Sequence, residues 1–219
     1  MKLLALTDIH GAYHRAEKII RREAADVVII GGDLTTAGPL PEAEEALDRF
    51  RSCSMRLLFV SGNMDLPAVD DLARTRGLSI DGRGIAIGEI GFFGVSAAPL
   101  SRLHTPYEIS EEEIAARAGR GYADVNDCRL KIFVPHAPPL RTKLDVIRTG
   151  EHVGSSAVRE FIERTGPDLV LCGHIHEARG LDTIGQTAIV NCGPAVNGNY
   201  AVVHIGERVS VSLADDMAG

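Results

Sequence analysis

The sequence predicts an α/β protein in which a mostly parallel sheet is flanked by helices. Short apolar runs alternate with amphipathic stretches over residues 2–60, which is the pattern of successive βαβ units. The composition agrees with this class, because 45% of the 219 residues are hydrophobic and the chain can bury a sizeable core. At this length we expect one domain over residues 1–219.

The first half of the chain supports this fold class element by element. Three strands are predicted as short aliphatic or β-branched runs: 2–7, 26–30 and 57–60. Three helices are predicted where apolar residues repeat at helical spacing: 13–23, from Pro41 onward, and 66–75. Glycines then divide the segment from Ile80 to Val95 into short apolar pieces, which indicates hairpin strands.

The second half alternates less regularly. Residues 96–109 and 140–154 are predicted to be loops. A capping box at Ser110 predicts a helix near 111–119, and Ser155 or Ser156 caps a helix over 157–165. The remaining apolar runs are predicted strands: 130–134, 168–172, 179–184, 187–191, 200–205 and 208–213. We expect the pieces after residue 179 to form a second, more antiparallel sheet.

Charge and cysteine usage limit the classes of function. The formal net charge of −7 argues against broad nucleic-acid binding, which requires a positive surface to release counterions from phosphates. None of the four cysteines has C-x-x-C spacing to another, so we expect reduced, mostly buried thiols. The first apolar run ends at Thr7, too early for a secretory signal, and no run is long enough for a membrane span. A cytoplasmic protein is the expectation.

Side chains able to bind divalent metals follow five of the predicted strands. They are Asp8, His10, Asp33, Asn63, His136, His174 and His176. Because the carboxyl ends of parallel strands meet at one edge of a sheet, we expect these groups to converge. Gly32, Gly62 and Gly173 precede three of them and permit tight turns and close backbone approach. Carboxylate, imidazole and amide oxygen suit Mn, Fe, Zn, Co or Ni.

The motifs carry a resemblance to a known family. The set D-I-H, G-G-D, G-N-x-D, a lone histidine after a strand, and G-H-I-H occurs in this order between residues 8 and 176. It resembles the calcineurin-like metallophosphoesterase superfamily, in particular its small prokaryotic phosphodiesterases, and N-C-G-P at 191–194 is similar to a later family motif. The resemblance implies a four-layer fold, a two-sheet sandwich flanked by helices, with a dinuclear metal centre.

The resemblance also implies a role for each candidate residue. Asp8, His10 and His176 would bind one divalent ion, Asn63, His136 and His174 the other, and Asp33 would bridge the two ions, for which Mn²⁺ is favoured. A metal-bridging hydroxide would then attack the phosphorus of a small anionic phosphate ester. Asp33, Asn63 and His136 are therefore expected at the catalytic centre, and Asp65 is expected to orient a metal-bound histidine.

One position departs from the family pattern. Many members have a histidine after the asparagine of the third motif, where this chain has Met64. A thioether cannot donate a proton, and general acid catalysis contributes about 10²–10⁴-fold. Some small bacterial and archaeal members that resemble this chain also lack this histidine and favour phosphodiesters or activated aryl esters. The resemblance therefore implies that phosphodiesters are better substrates than phosphomonoesters. His104 and His152, in the two predicted loops, are candidates for a replacement proton donor.

Two functions from different classes follow from these residues. The first is a metal-dependent phosphoesterase, and the second is a metal-binding scaffold with little or no catalysis. A eukaryotic retromer subunit similar to this family lacks the same histidine and serves mainly as a scaffold. A nuclease is less expected, because the sequence has no obvious basic groove. Homo-oligomer formation is left open, with Ile80 to Val95 as a candidate apolar edge.

Overall fold

Apolar runs form strands and amphipathic stretches form helices throughout residues 1–216, the part of the chain that the computed structural model describes. The strands are β1 (Lys2–Leu6), β2 (Val27–Gly31), β3 (Leu57–Val60), β4 (Gly84–Ile87), β5 (Ile90–Val95), β6 (Ala98–Pro99), β7 (Glu108–Ile109), β8 (Leu130–Pro135), β9 (Leu169–Cys172), β10 (Gly180–Ile184), β11 (Thr187–Asn191), β12 (Asn199–Ile205) and β13 (Val209–Asp215). The helices are α1 (Tyr13–Glu23), α2 (Leu40–Ser52), α3 (Pro67–Thr75), α4 (Glu111–Asp124) and α5 (Ser156–Thr165).

Two sheets contain most of the strands. The first has the order β13-β12-β1-β2-β3, and the second has the order β10-β11-β9-β8-β5-β4. Neighbours are parallel from β1 to β3 and from β11 to β5, whereas the pairings of β4, β10, β12 and β13 are antiparallel. The predicted βαβαβ beginning is therefore confirmed, and so is the α/β class.

The strands after residue 179 do not form a sheet of their own, so that expectation is wrong. β10 and β11 extend the second sheet, while β12 and β13 return to the first, where β12 lies antiparallel to β1 with Leu3 opposite Val203. Pairing with β12 covers the free side of β1, a strand whose residues after Lys2 are all buried. β13 becomes the edge and is the more exposed strand of the pair.

Four layers result from the alternation of side chains along the central strands. On β1, Leu4 and Leu6 pack under α1, α2 and α3, whereas Leu3 and Ala5 face the second sheet. On β8, Ile132 and Val134 join the core between the sheets, and the intervening residue faces α4 and α5. The order of layers is helices, sheet, sheet, helices, as the resemblance implied.

Glu111 connects the beginnings of α4 and α5. Ser155 caps α5, as one of the two predicted serines, by accepting a hydrogen bond from Val158 N. The carboxylate of Glu111 also accepts from Ser156 N at 2.9 Å and from Ala157 N at 3.0 Å. The Glu111 carboxylate thus accepts hydrogen bonds from the free backbone N–H groups in the first turn of α5. It also fixes where the segment before α5 ends.

α4 runs further than its sequence predicts, to Asp124 instead of about residue 119. Gly121 lies within this extension, and an added Cβ there would lie 3.0 Å from Phe93 Cβ. The glycine lets the helix approach β5 closely, so tertiary packing compensates for its low helix propensity. Among residues 1–216, no helix has the length and apolar character required to cross a bilayer.

Candidate metal centre

All five predicted ligand motifs lie directly after strands, at the carboxyl ends of β1, β2 and β3 in one sheet and of β8 and β9 in the other. We call these segments the five ligand loops; they contain residues 8–11, 32–36, 61–65, 136 and 173–176. Because the two sheets pack face to face, both contribute groups to one site. Four of the seven candidate side chains belong to buried residues, namely Asp8, Asp33, Asn63 and His136.

The structure brings six of the seven predicted ligands into two clusters. Ligand atoms of Asp8, His10 and His176 lie within 4.8 Å of one another, as do those of Asp8, Asp33 and His136. His10 Nε2 lies 3.3 Å from His176 Nε2. In the second cluster, His136 Nε2 lies 3.1 Å from the side-chain oxygen Oδ1 of Asn63.

Asp33 and His174 complete the arrangement. Asp33 Oδ2 lies 3.7 Å from His10 Nε2 and 3.5 Å from His136 Nε2, and therefore stands between the clusters. The ring of His174 lies beside that of His136, with centroids 5.2 Å apart. Its backbone N–H donates to both carboxylate oxygens of Asp8 at 3.1 Å. The seven predicted ligands thus converge.

These contacts fit divalent cations. Two neutral imidazole nitrogens at 3.3 Å, as in His10 and His176, face each other favourably only with a proton or a cation between them. His136 Nδ1 lies 2.8 Å from the carbonyl of Gly31, which makes Nδ1 a donor and leaves Nε2, which faces Asn63 Oδ1, as the nitrogen that can exchange its proton for a metal ion. Oxygen and nitrogen donors of this mixture suit first-row divalent metals.

The titration behaviour of the site reflects its buried carboxylates. Burial raises the pKa of Asp8, but the hydrogen bond from His176 and the charges of His136 and His176 bring it down to about 2. Burial lowers the pKa of His136, but the charge of Asp33, its hydrogen bond and Asp8 raise it to about 9. Burial and the neighbouring His136 lower the pKa of His174 to about 4. The carboxylates thus attract positive charge to the cluster.

Hydrogen bonds between main chains connect the first two ligand loops. Backbone N–H groups of the first loop donate to carbonyls of the second in a short ladder: Asp8 to Gly32 at 2.9 Å, His10 to Asp33 at 2.9 Å, and Gly11 to Leu34 at 3.1 Å. The ladder continues the pairing of β1 with β2 beyond the strand ends. It fixes the relative positions of both loops independently of any ligand.

The remaining loops close the ring. Met64 N donates to Asp33 Oδ1 at 2.7 Å, joining the third loop to the second. Gly173 N donates to the carbonyl of His136 at 3.0 Å, joining the fifth loop to the fourth. With the bonds from His174 N to Asp8, every ligand loop is bonded to a neighbour. Met64 therefore contributes to the site through its backbone N–H.

Asp65 does not form the contact expected from the sequence. Its Oδ1 accepts from the backbone N–H and the hydroxyl of Thr35, at 2.8 and 2.9 Å. Its Oδ2 accepts from Gly62 N at 2.9 Å and Leu34 N at 3.2 Å. Burial and the charge of Asp33 raise the pKa of Asp65 to about 6. Its role is to hold the second and third loops together, not to orient a histidine.

Other groups orient the ligands instead, and the sequence pattern did not reveal them. The hydroxyl of Thr36 lies 2.9 Å from His10 Nδ1 and fixes that ring. The buried amide of Asn191, in the N-C-G-P motif, donates to the carbonyl of Ile175 at 2.8 Å, between His174 and His176. A fully buried asparagine at a strand end is the one signal that could have indicated such a supporting role.

Four of the predicted ligands have a strained backbone conformation. Asp8, His10, Asp33 and His174 have φ values of 55°, 46°, 50° and 67°, in the left-handed region. Non-glycine residues adopt this region uncommonly, and its cost is sustained only where surrounding contacts impose it. Here the interloop hydrogen bonds impose it, which aims the side chains inward.

Three glycines are required by the ligands themselves. An added Cβ at Gly62 would lie well inside 3.0 Å of Asp33 Oδ1, and one at Gly173 would collide with Asp8 Oδ2 in the same way. At Gly32 it would strike His136 Nδ1, and φ there is 107°. Each glycine makes room for a ligand of a neighbouring loop, so the predicted close backbone approach is confirmed.

A cavity of about 720 Å³ adjoins the metal centre. Asn63, His174 and His176 line part of it, and its other walls come from the segments 98–111 and 147–154. These segments overlap the two predicted loops, which therefore border the site as expected. Neither His104 nor His152 is among the described residues that line the cavity, and His152 Nδ1 instead lies 2.8 Å from Asp145 Oδ1.

Glu108 folds one wall of this cavity. Its carboxylate accepts hydrogen bonds from the backbone N–H and hydroxyl of Ser101, at 2.9 and 2.7 Å. It accepts two more from the same groups of Thr105, at 2.9 and 2.7 Å. Burial raises the pKa of Glu108, but these four hydrogen bonds outweigh it and lower the pKa to about 2.

Comparison with known proteins agrees with the geometry. The family model described as calcineurin-like phosphoesterase matches residues 1–178. An uncharacterized protein of Methanocaldococcus jannaschii is 35% identical over 198 residues, which cover 89% of this chain and 88% of that protein. A UPF0046 protein of Caenorhabditis elegans is 27% identical over 221 residues, covering 91% of this chain and 71% of its own length.

Solved structures share the fold at low sequence identity. A Thermus thermophilus protein superposes with a TM-score of 0.74 at 17% identity, covering 98% of each chain. A dimetal phosphatase from Danio rerio gives a TM-score of 0.69 at 12% identity, covering 98% of this chain and 96% of its own. At these identities the likeness concerns the architecture.

We predict that Gly62→Ala weakens metal binding while the fold is kept. The added methyl group would collide with both the carboxylate and the backbone nitrogen of Asp33, so the second ligand loop must shift locally; disturbing the support of a ligand typically costs about 10- to 100-fold in metal affinity. The measurement is calorimetric titration with Mn²⁺, with circular dichroism to check folding. Gly119→Ala is the matched control, because that glycine is exposed on α4 with no atom within 4 Å of the added Cβ. Equal affinities for both variants would contradict the role given to Gly62.

The cavity wall should depend on the ionisation of Glu108. Its folded pKa of about 2 lies below the usual 4.5, so the ionised form stabilises the wall. This contribution is complete above about pH 4.5 and is lost as the pH falls toward 2. A carbon-detected NMR titration of the Glu108 carboxyl, assigned with Glu108→Gln, should give a midpoint near 2. A midpoint near 4.5 would show that the four hydrogen bonds do not form.

Proposed function

Since this chain belongs to the calcineurin-like phosphoesterase family, we propose that it is a metal-dependent phosphodiesterase with a two-metal centre. A metal-dependent phosphoester hydrolase is what the family implies, and the preference for diesters is our addition. The observation that supports it most directly is the pair of clusters facing the single oxygen Asp33 Oδ2. We assign Asp8, His10 and His176 to one ion, Asn63, His136 and His174 to the other, and Asp33 to both.

The chain's own groups prepare these ligands. Met64 N occupies Asp33 Oδ1, which leaves Oδ2 as the oxygen that faces His10 and His136. The carbonyl of Gly31 keeps a proton on Nδ1 of His136 and so directs the Nε2 lone pair into the site. When bound, a pair of divalent ions supplies an activated water and neutralises charge on the phosphoryl oxygens. Mn²⁺ is our first choice among the divalent ions that this mixture of carboxylate, amide and imidazole donors accepts, which also include Fe, Zn, Co and Ni.

Charge favours diesters, and the proton supply favours esters with good leaving groups. Met64 has no proton to give to a leaving oxygen, so esters with good leaving groups should react best. Acidic residues, including Glu151 and Glu177, line the neighbouring cavity. They repel a monoester dianion more strongly than a diester monoanion. A small anionic ester, rather than nucleic acid, fits a chain of net charge −7. Cytoplasmic location and self-association stay predictions.

We predict that the Mn²⁺-loaded protein hydrolyses bis-p-nitrophenyl phosphate with a higher kcat/KM than p-nitrophenyl phosphate. The expected ratio is about tenfold, since one extra charge costs roughly 1 kcal/mol at 4 Å in water and more near a protein surface. Chelation of the metal should abolish both activities. A preference for the monoester would contradict the diesterase assignment. Absence of turnover with any aryl ester would instead favour the metal-binding scaffold.

Asp33→Asn should remove activity and leave the fold intact. The amide oxygen can still accept from Met64 N, but the charge shared between the clusters is lost. We expect kcat/KM to fall by about 10³-fold, comparable with removal of a strong electrostatic stabiliser. Metal content by mass spectrometry should fall as well. Asp127→Asn is the matched control, because that exposed residue precedes β8, at the opposite end of the strand from His136. Activity of Asp33→Asn near that of the control would refute the shared ligand.

A further inference from the structure

Exposed aliphatic side chains gather around the cavity beside the metal centre. Among residues 1–216, six large hydrophobic residues are exposed, and three of them line this cavity. They are Leu100, Leu103 and Val153, with exposed fractions of 68%, 82% and 38%. Ile147 lines it as well. Exposure of apolar groups next to a site commonly marks a ligand-binding surface.

The segments that present these side chains are held in place. Leu100 and Leu103 lie on the wall folded by Glu108, whose carboxylate accepts four hydrogen bonds from Ser101 and Thr105. On the opposite segment, Val153 N donates to the carbonyl of Asp145 at 3.0 Å. The exposed aliphatic side chains therefore belong to segments that hydrogen bonds hold in place.

Away from the metal centre, the charged side chains of the cavity disfavour an anionic occupant. Glu151 and Glu177 line it, whereas Arg102 is the only Lys or Arg among the described lining residues, and the two lining histidines, His174 and His176, belong to the metal centre. Those lining residues include no Phe, Tyr or Trp on which a nucleobase could stack. An uncharged aliphatic group fits the chemistry, since it buries apolar area and meets no like charge.

We propose that the cavity binds an uncharged aliphatic chain esterified to the phosphate, so that the substrate is an amphiphilic phosphate ester. The inference rests on the proposed function, because the phosphoryl group would lie at the metal centre that Asn63, His174 and His176 share with the cavity. The cavity volume of about 720 Å³ lies within the range of small-molecule sites.

The test uses p-nitrophenyl phosphodiesters whose second substituent is methyl, butyl or octyl, below their critical micelle concentrations, with the Mn²⁺-loaded protein. We expect kcat/KM to rise about two- to fourfold per methylene, up to the value for a fully buried methylene. The double variant L100S/L103S should flatten this dependence and keep the methyl ester rate. Leu181→Ser is the matched control, because Leu181 is 52% exposed on β10 and does not line the cavity. It should keep the full dependence.

Two further sets of measurements distinguish an aliphatic occupant of the cavity from an anionic group or a nucleoside. An ester with a terminal carboxylate on the same chain should react more slowly than its uncharged counterpart, and a thymidine ester should gain nothing over the methyl ester. Calorimetry with octylphosphonate and methylphosphonate measures binding without turnover, and the octyl compound should bind tighter, with a negative heat-capacity change that L100S/L103S reduces.

These experiments distinguish failure of the proposed phosphodiesterase function from failure of the proposal that the cavity binds an aliphatic chain. Hydrolysis of the methyl ester with a flat chain-length series, or a preference for the thymidine or carboxylate ester, overturns the aliphatic cavity and leaves the phosphodiesterase intact. Hydrolysis of none of the esters refutes the phosphodiesterase. In that case phosphonate binding decides the inference alone, and equal affinities for octyl and methyl compounds would refute it.

Discussion

The hydrogen bonds between the five ligand loops are the constraint on which the site depends. Five strands from two sheets end at one edge, but strand ends alone do not fix a side chain to within a few tenths of an ångström. The ladder from the first loop to the second, and the bonds through Asp33 and Asp8 to the third and fifth, supply that precision. They also explain the left-handed ligands and the glycines at 32, 62 and 173, because each is the local cost of bringing neighbouring main chains together.

The close approach of the ligand loops also buries several carboxylates together, and this creates a demand for compensating donors or positive charge. Asp8, Asp33 and Asp65 are all buried within the ring of loops, and buried carboxylates destabilise a fold unless they are paired or hydrogen-bonded. Asp65 meets this demand with four donors from the protein. Asp8 and Asp33 meet it only partly, and they raise the pKa of His136. Cations at this place would satisfy both carboxylates, so metal binding and folding stability are coupled by mass action.

The sequence predicted what is encoded over short distances. The strand-loop units with Asp8, Asp33 and Asn63 could be predicted because each ligand follows an apolar run in the sequence. The partner of β12 was not readable, because the pairing of Val203 with Leu3 joins the two ends of the chain and no local pattern specifies it. The role of Asp65 failed for a related reason: its donors come from another loop, and their arrangement is decided by tertiary packing. Neither could the cavity beside the metal centre be predicted, since two segments without periodicity form it together.

Chemistry and selectivity are carried by different parts of the chain. The ligands follow strand ends inside the four-layer core, whereas the cavity walls lie in segments that leave the core between β5 and α4 and between β8 and α5. Glu111 ties these segments together, because it lines the cavity and also binds the first turn of α5. Substitutions of Leu100 or Leu103 can therefore change what is held beside the phosphate without disturbing Asp33. Met64 adds to this separation: it has no side-chain proton to give, so under the proposed function the centre would rely on the ester's own leaving group, and the cavity that selects the ester would also influence how fast it reacts.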